Sequence, residues 1–299
     1  MTPKQQGYIY LTLAMATVGS TVIASKLISA GLTPFTATAL RFAVAFPCFI
    51  LLMRLTGARL PKLSRHDWII LVIQAAAGSV GYTTLLISGL SMTSAANAGV
   101  IIGTLPVVSA GISILLLRER PDRFLLLAIG LAAAGVFSIV LAPGAGGGSL
   151  RGDILIFGAV LCEGLFILLN KRLKAEIAPI VQSTLMTAIG FCAAAIPAVF
   201  ESHALPAASS TALLSVLYYA LVPTVAGFML WYAGAERVSG TEAALSTALA
   251  PVSAVMLAFI ILGEPVGLGQ IAGIACVLAA VLGLAFAGSR VAVKRVEGR

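Results

Sequence analysis

Glu163 lies about ten residues into a long apolar run, and Phe166 and Asn170 follow it three and seven positions later. Residues at i, i+3 and i+7 share one face of an α-helix, so an acid, an aromatic ring and an amide should look the same way. An ionisable group within such a run is expensive and needs a reason. Glu163 either contacts a substrate amine or carries a proton, or it is a structural carboxyl bonded to neighbouring helices. Arg41 is the second charge of this kind, seven residues past Pro34. It can snorkel toward an interface or pair with a carboxylate at similar depth, Glu163 being a candidate, and a structural role is favoured. Ser20, Gln74, Ser79, Tyr82, Asn97 and Trp231 add hydroxyls, amides and aromatic edges within apolar stretches. Together they would suit a mostly apolar cavity for a small amphipathic molecule. Trp231 with Tyr232, and Tyr218 with Tyr219, also fit an aromatic belt at the membrane interface.

These residues need long helices to hold them. The chain has 299 residues, 60% hydrophobic and 10% charged, against about 25% charged in a soluble domain. Apolar runs of membrane-spanning length fall at 7–28, 34–55, 66–90, 93–117, 124–142, 153–173, 178–200, 210–235, 239–262 and 266–288. The expected class is therefore an all-α membrane protein of ten spans. The triplet Ala14–Ala16 resembles a signal-peptidase site, but the apolar run continues to Ile23, so a retained first span is expected.

The net charge of +8 is not a nucleic-acid signal, because of where it lies. With the N-terminus inside, 16 of the 19 basic residues fall on inner segments, among them Arg118, Arg120, Lys171 and Arg299; Lys26 and Arg151 fall outside. That bias predicts both ends in the cytoplasm. The cysteines Cys48, Cys162, Cys192 and Cys276 all lie in apolar runs and read as packing residues. No cofactor or metal is expected. His66 and His203 flank spans on opposite sides, and no motif pairs a base with a nucleophile, so an enzyme is disfavoured.

Two apolar runs carry a central proline, Pro106 in TLPVVSA and Pro251 in LAPVSA, 145 residues apart. The same offset relates Gly7, Gly19, Lys26 and Pro34 to Gly152, Gly164, Lys171 and Pro179, and Gly89, Ser94 and Glu119 to Gly234, Ser239 and Glu264. Each copy holds five spans, residues 1–145 and 146–299, joined by the linker at 143–151. Five is odd, so the second copy enters the membrane from the opposite side, the pattern of secondary transporters that bind substrate midway between two inverted halves. A proline within a span frees a carbonyl and bends the helix, so Pro106 and Pro251 are candidate hinges or cavity walls.

With ten spans, a duplicated five-span unit, and the stretches TLPVVSAGISILLLRERP and LAPVSAVMLAFIILGEP ending each unit, the chain resembles the EamA branch of the drug/metabolite transporter superfamily. The first copy departs slightly, with an additional arginine before Pro121. The resemblance implies a multi-pass protein of the bacterial inner membrane that exports or exchanges small metabolites, amino acids foremost, by alternating access. The cavity is expected among spans one, three, four, six, eight and nine, with a small-molecule substrate and the bilayer as partners and a monomer as the expected state. A multidrug exporter of the same fold is the alternative; an enzyme or a channel is disfavoured.

Overall fold

The computed structural model describes residues 2–117, 123–140, 149–170, 172–201, 208–238, 246–247 and 249–297. Arg118, Glu119, Arg120, Pro121, Lys171, His203, Ser239 and Arg299, and residues 143–148 of the linker, lie outside them. Among the described residues the chain is all-helical. In order, the helices are α1 (Pro3–Ser29), α2 (Pro34–Leu55), α3 (Arg65–Leu90), α4 (Ala95–Gly103), α5 (Leu105–Leu117), α6 (Arg123–Val140), α7 (Leu150–Asn170), α8 (Pro179–Glu201), α9 (Ser210–Ala235), α10 (Leu249–Leu262) and α11 (Leu268–Glu297).

Six of them, α1, α2, α3, α7, α8 and α9, are long and apolar enough to cross a bilayer. The other expected spans differ from the sequence reading. The fourth is two helices, α4 and α5, which meet at Thr104 just ahead of Pro106. The fifth, ninth and tenth correspond to α6, α10 and α11, whose apolar stretches, Leu126–Ser138, Leu249–Leu262 and Leu268–Ala280, are shorter. Large apolar side chains such as Leu55, Ile196, Phe200, Leu214 and Leu268 are exposed around the outside, as a helix bundle in lipid requires. This is a multi-pass membrane protein.

Local signals account for the helix starts. Thr2 and Ser64 cap α1 and α3 as capping boxes with Gln5 and Asp67, while Pro34 opens α2. Ser209 caps α9 by accepting from the Ala212 N–H. α3 and α9 start and finish 145 residues apart, and both loosen internally to i→i+5 pairing, over Ala75–Gly81 and Ala220–Ala226, again 145 apart.

The repeat is visible in contacts as well as in positions. Gly7 of α1 lies against Gly234, Arg237 and Val238 at the end of α9; Gly152 of α7 lies against Gly89, Met92 and Thr93 at the end of α3. Each residue of the first contact is matched in the second at the same offset. The two contacts sit at opposite ends of the bundle. The C-terminal end of α1 reaches the α3 end, where Lys26 Nζ donates to the carbonyls of Leu90 and Thr93 at 2.7 Å each, while Gly7, near its N-terminal end, is held at the far end by α9. A helix of 27 residues spans about 40 Å.

The end near Lys26 is closed. Ile23, Leu86, Leu90, Ala95, Ile156 and Ala258 pack there in the largest buried cluster. Polar ties reinforce it. The Thr93 hydroxyl donates to Asp153 Oδ1 at 2.6 Å, and Glu264 accepts from the Ala95 and Ala96 N–H groups at 3.0 Å each, capping α4 from a distant part of the chain.

Candidate functional site

A cavity of about 350 Å³ lies among α1, α2, α3, α7, α8 and α9, with Ile102 and Leu105 contributed beside the α4–α5 break. It extends from Thr21, Arg41 and Tyr82 toward Asn170, Gln182 and Tyr232, at the bundle end away from Lys26. Both loosened stretches form part of its wall, through Gly78 and Ser79 in α3 and Pro223 and Thr224 in α9.

The loosened stretch of α9 has a local cause. Pro223 has no N–H, so the Tyr219 carbonyl loses its ordinary i+4 donor. The Thr224 hydroxyl takes that place, donating to Tyr219 O at 2.8 Å. In α3 the Thr83 hydroxyl donates to the Ser79 carbonyl at 2.8 Å. Arg41 then joins the two helices: its Nε donates to Thr224 Oγ1 at 3.1 Å and its Nη1 to Thr83 Oγ1 at 2.8 Å. The guanidinium also lies 4.1 Å from the centre of the Tyr219 ring and 4.9 Å from that of Phe42, within cation–π range.

Glu163, Phe166 and Asn170 all line the cavity, as their spacing on one helix face predicts, and Ser79 and Tyr82 face it from α3. The Phe166 ring packs onto Gly78, where any Cβ would collide with it. Arg41 lines the cavity too, but of the two arrangements open to it the pairing with Glu163 is not formed: no ion pair joins them, and hydroxyls and rings surround the guanidinium instead.

Four of the residues singled out from sequence lie outside this wall. Ser20 donates to the Thr17 carbonyl and accepts from Tyr218 OH at 2.8 Å, in a separate groove beside α9. Gln74 is fully buried behind the cavity, and its Nε2 donates to Phe166 O at 3.2 Å and Asn170 Oδ1 at 3.3 Å. Asn97 is buried at the closed end and accepts from Gln270 Nε2 at 2.8 Å, which ties α4 to α11. Trp231 packs against Ala14, Met15 and Ala250, and the adjacent Tyr232 faces the cavity in its place. Of the two expected hinges, Pro106 is the second residue of α5, and Pro251 is buried in the first turn of α10 with its Cβ against Gly103.

Among the described residues, spans two and seven line the cavity and span nine does not, contrary to the sequence reading. Phe42, Phe49, Gln182, Ser183, Met186 and Thr187 were missed because uncharged residues on an amphiphilic face leave no signal distinct from packing. Tyr219, read as a belt residue, is buried under Arg41. Its proximity to Pro223, whose missing N–H marks an irregular turn, was the available clue.

The sequence model of the EamA-like transporter family matches residues 5–141 and again residues 150–286. A Bacillus subtilis (strain 168) protein named uncharacterized transporter YetK is 35% identical over 285 residues, covering 93% of this chain and 86% of its own. A Streptantibioticus cattleyicolor protein named probable terminal-alkyne amino-acid exporter is 27% identical over 210 residues, covering 70% of this chain and 69% of its own. A solved crystal structure matches the fold with a TM-score of 0.65 over 96% of this chain and 99% of its own, at 19% identity.

Proposed function

Because the chain belongs to the EamA-like transporter family, and so is a membrane transporter rather than an enzyme, we propose that it exports or exchanges small metabolites, amino acids foremost, through its central cavity. The observation that carries this reading is a cavity walled by the two loosened stretches, Ala75–Gly81 and Ala220–Ala226, one from each copy of the repeat. Helical backbone departs from regular pairing within a membrane only where protein or water in a cavity satisfies it, so this is where substrate would meet the protein. The relative named as an amino-acid exporter supports the substrate class.

In this reading residues 1–145 and 146–299 are inverted five-span halves in a ten-span monomer of the bacterial inner membrane, with both ends cytoplasmic. Equivalent glycine contacts at opposite ends of the bundle support the inversion. The end closed around Lys26 then faces outward and the cavity reaches inward; rocking of the halves about the segments holding Pro106 and Pro251 exposes it to each side in turn.

The test is counterflow in proteoliposomes loaded with unlabelled amino acids, using labelled amino acids outside, with and without a pH gradient. Saturable, counter-stimulated uptake is expected. Its absence for every amino acid, or tags on the two chain ends reporting from different faces of the membrane, would overturn the reading.

A further inference from the structure

The two charges in the cavity wall come from opposite halves of the chain, Arg41 from α2 and Glu163 from α7. They are the only charged side chains among the described residues lining it. No ion pair joins them. Among the described residues Glu163 has no hydrogen-bond partner. Arg41 engages Thr224 and Thr83 through Nε and one Nη1 donor, and a guanidinium carries five N–H donors. Charge at membrane depth is costly, and an uncompensated charge more so than a pair. Two opposite charges that line one cavity from different helices, with no ion pair between them, are therefore complementary to a ligand that carries both.

Resting on the transporter reading above, we infer that Arg41 and Glu163 form a two-ended clamp that selects zwitterions with no further charge. Arg41 receives the carboxylate and Glu163 the ammonium of a monoamino, monocarboxylic substrate. The guanidinium is well placed for the planar oxygens of a carboxylate, because stacking on Tyr219 and the bonds to two threonines fix its orientation. The remaining wall is largely aromatic and apolar, with Tyr82, Phe166, Met186, Phe228 and Tyr232, and suits an apolar side chain. The 350 Å³ volume is near the lower limit for ligand cavities, about 300–1,000 Å³. A second charge on the substrate side chain meets no counter-charge there, so acidic and basic amino acids are excluded.

The experiment compares wild type with Glu163→Gln, Arg41→Met and Arg41→Lys, in proteoliposome counterflow and in ligand-induced thermal stabilisation of detergent-solubilised protein. The probes are leucine, leucine methyl ester (ammonium only), 4-methylpentanoate (carboxylate only), aspartate and lysine. Wild type should prefer leucine over each single-charge analogue by about tenfold to a hundredfold, the range of a charge-assisted hydrogen bond. Glu163→Gln should erase the preference over 4-methylpentanoate while keeping that over the ester. Arg41→Met should do the reverse, and Arg41→Lys should retain part of the preference over the ester. A generally damaged protein would lose all probes alike. If Arg41→Met does not elute as a folded species, Glu163→Gln decides alone. Leucine and its analogues behaving equally in wild type, or both neutralising variants losing every probe in parallel while folded, overturns the clamp. If wild type transports no amino acid, the transport reading fails, and the stabilisation series still decides the clamp.

Discussion

Replacing Gly152 by alanine probes the repeated helix contact, with the magnitude set by its surroundings. The new methyl group would stand 2.9 Å from the Gly89 carbonyl oxygen, 2.9 Å from Thr93 Cβ and 3.0 Å from Met92 Cβ. None of these atoms is the free end of a flexible side chain, so relief requires α7 to move off α3. Overpacking of this kind costs about 1–3 kcal/mol. The helical preference of alanine over glycine returns at most about 1 kcal/mol, and less in a first turn, leaving a net loss of about 1–2 kcal/mol. Gly130 in α6 is the control: it is exposed and nothing lies within 4 Å of an added Cβ. There the same substitution should be neutral or stabilise by about 0.5–1 kcal/mol. Gly7→Ala should fall between, because one of its close neighbours, Val238 Cγ1 at 2.8 Å, belongs to a side chain that can turn. Thermal unfolding of purified protein in detergent measures all three. If Gly152→Ala stabilised as much as Gly130→Ala, the close approach of α3 and α7 would be wrong.

Three further outcomes are expected. Thr224→Val keeps the shape but removes both the donor to Tyr219 O and the acceptor for Arg41; it should cost about 1–3 kcal/mol and lower counterflow, and Thr224→Ser should restore both, whereas a silent Thr224→Val would show that the relay carries nothing. Glu264→Ala frees two N–H groups at the start of α4 and should lower stability by about 1–2 kcal/mol, as lost helix caps do, with Glu264→Gln milder; equal unfolding midpoints for the three proteins would remove the capping role. Pro251→Ala should reduce counterflow while the protein still elutes as a folded species, and unchanged saturable uptake would remove Pro251 from the mechanism.

Features that depend on local sequence could be read in advance, and those set by distant partners could not. Apolar length predicted the six long helices α1, α2, α3, α7, α8 and α9, and the 145-residue offset that links Gly7 to Gly152 and Gly89 to Gly234 in sequence reappears as two equivalent contacts. The i, i+3, i+7 spacing placed Glu163, Phe166 and Asn170 on one wall. Asn97 and Gln74 were misread because an amide in an apolar run looks the same whether it meets a ligand or another amide; only the packing of α4 on α11 gives Asn97 its partner Gln270. The break at Thr104 and the loosened stretches of α3 and α9 were unpredicted for a related reason. A proline such as Pro106 or Pro223 frees a carbonyl, but whether the helix bends, breaks or loosens there depends on its neighbours.

That dependence explains why one arginine matters to both irregular stretches. Loosened pairing leaves carbonyls that must be satisfied away from water. The Thr83 and Thr224 hydroxyls donate to the Ser79 and Tyr219 carbonyls within these helices, which leaves their oxygens able to accept. Arg41 donates to both oxygens at once, so α3 and α9, the matched helices of the two copies, are bridged by a guanidinium carried on α2. Moving α3 away from α9 across the cavity must lengthen or break one of these bonds. A guanidinium carries five N–H donors, so these two bonds leave others for a ligand anion. In the proposed clamp, the side chain that would receive the substrate carboxylate is therefore the one that bridges the two matched helices.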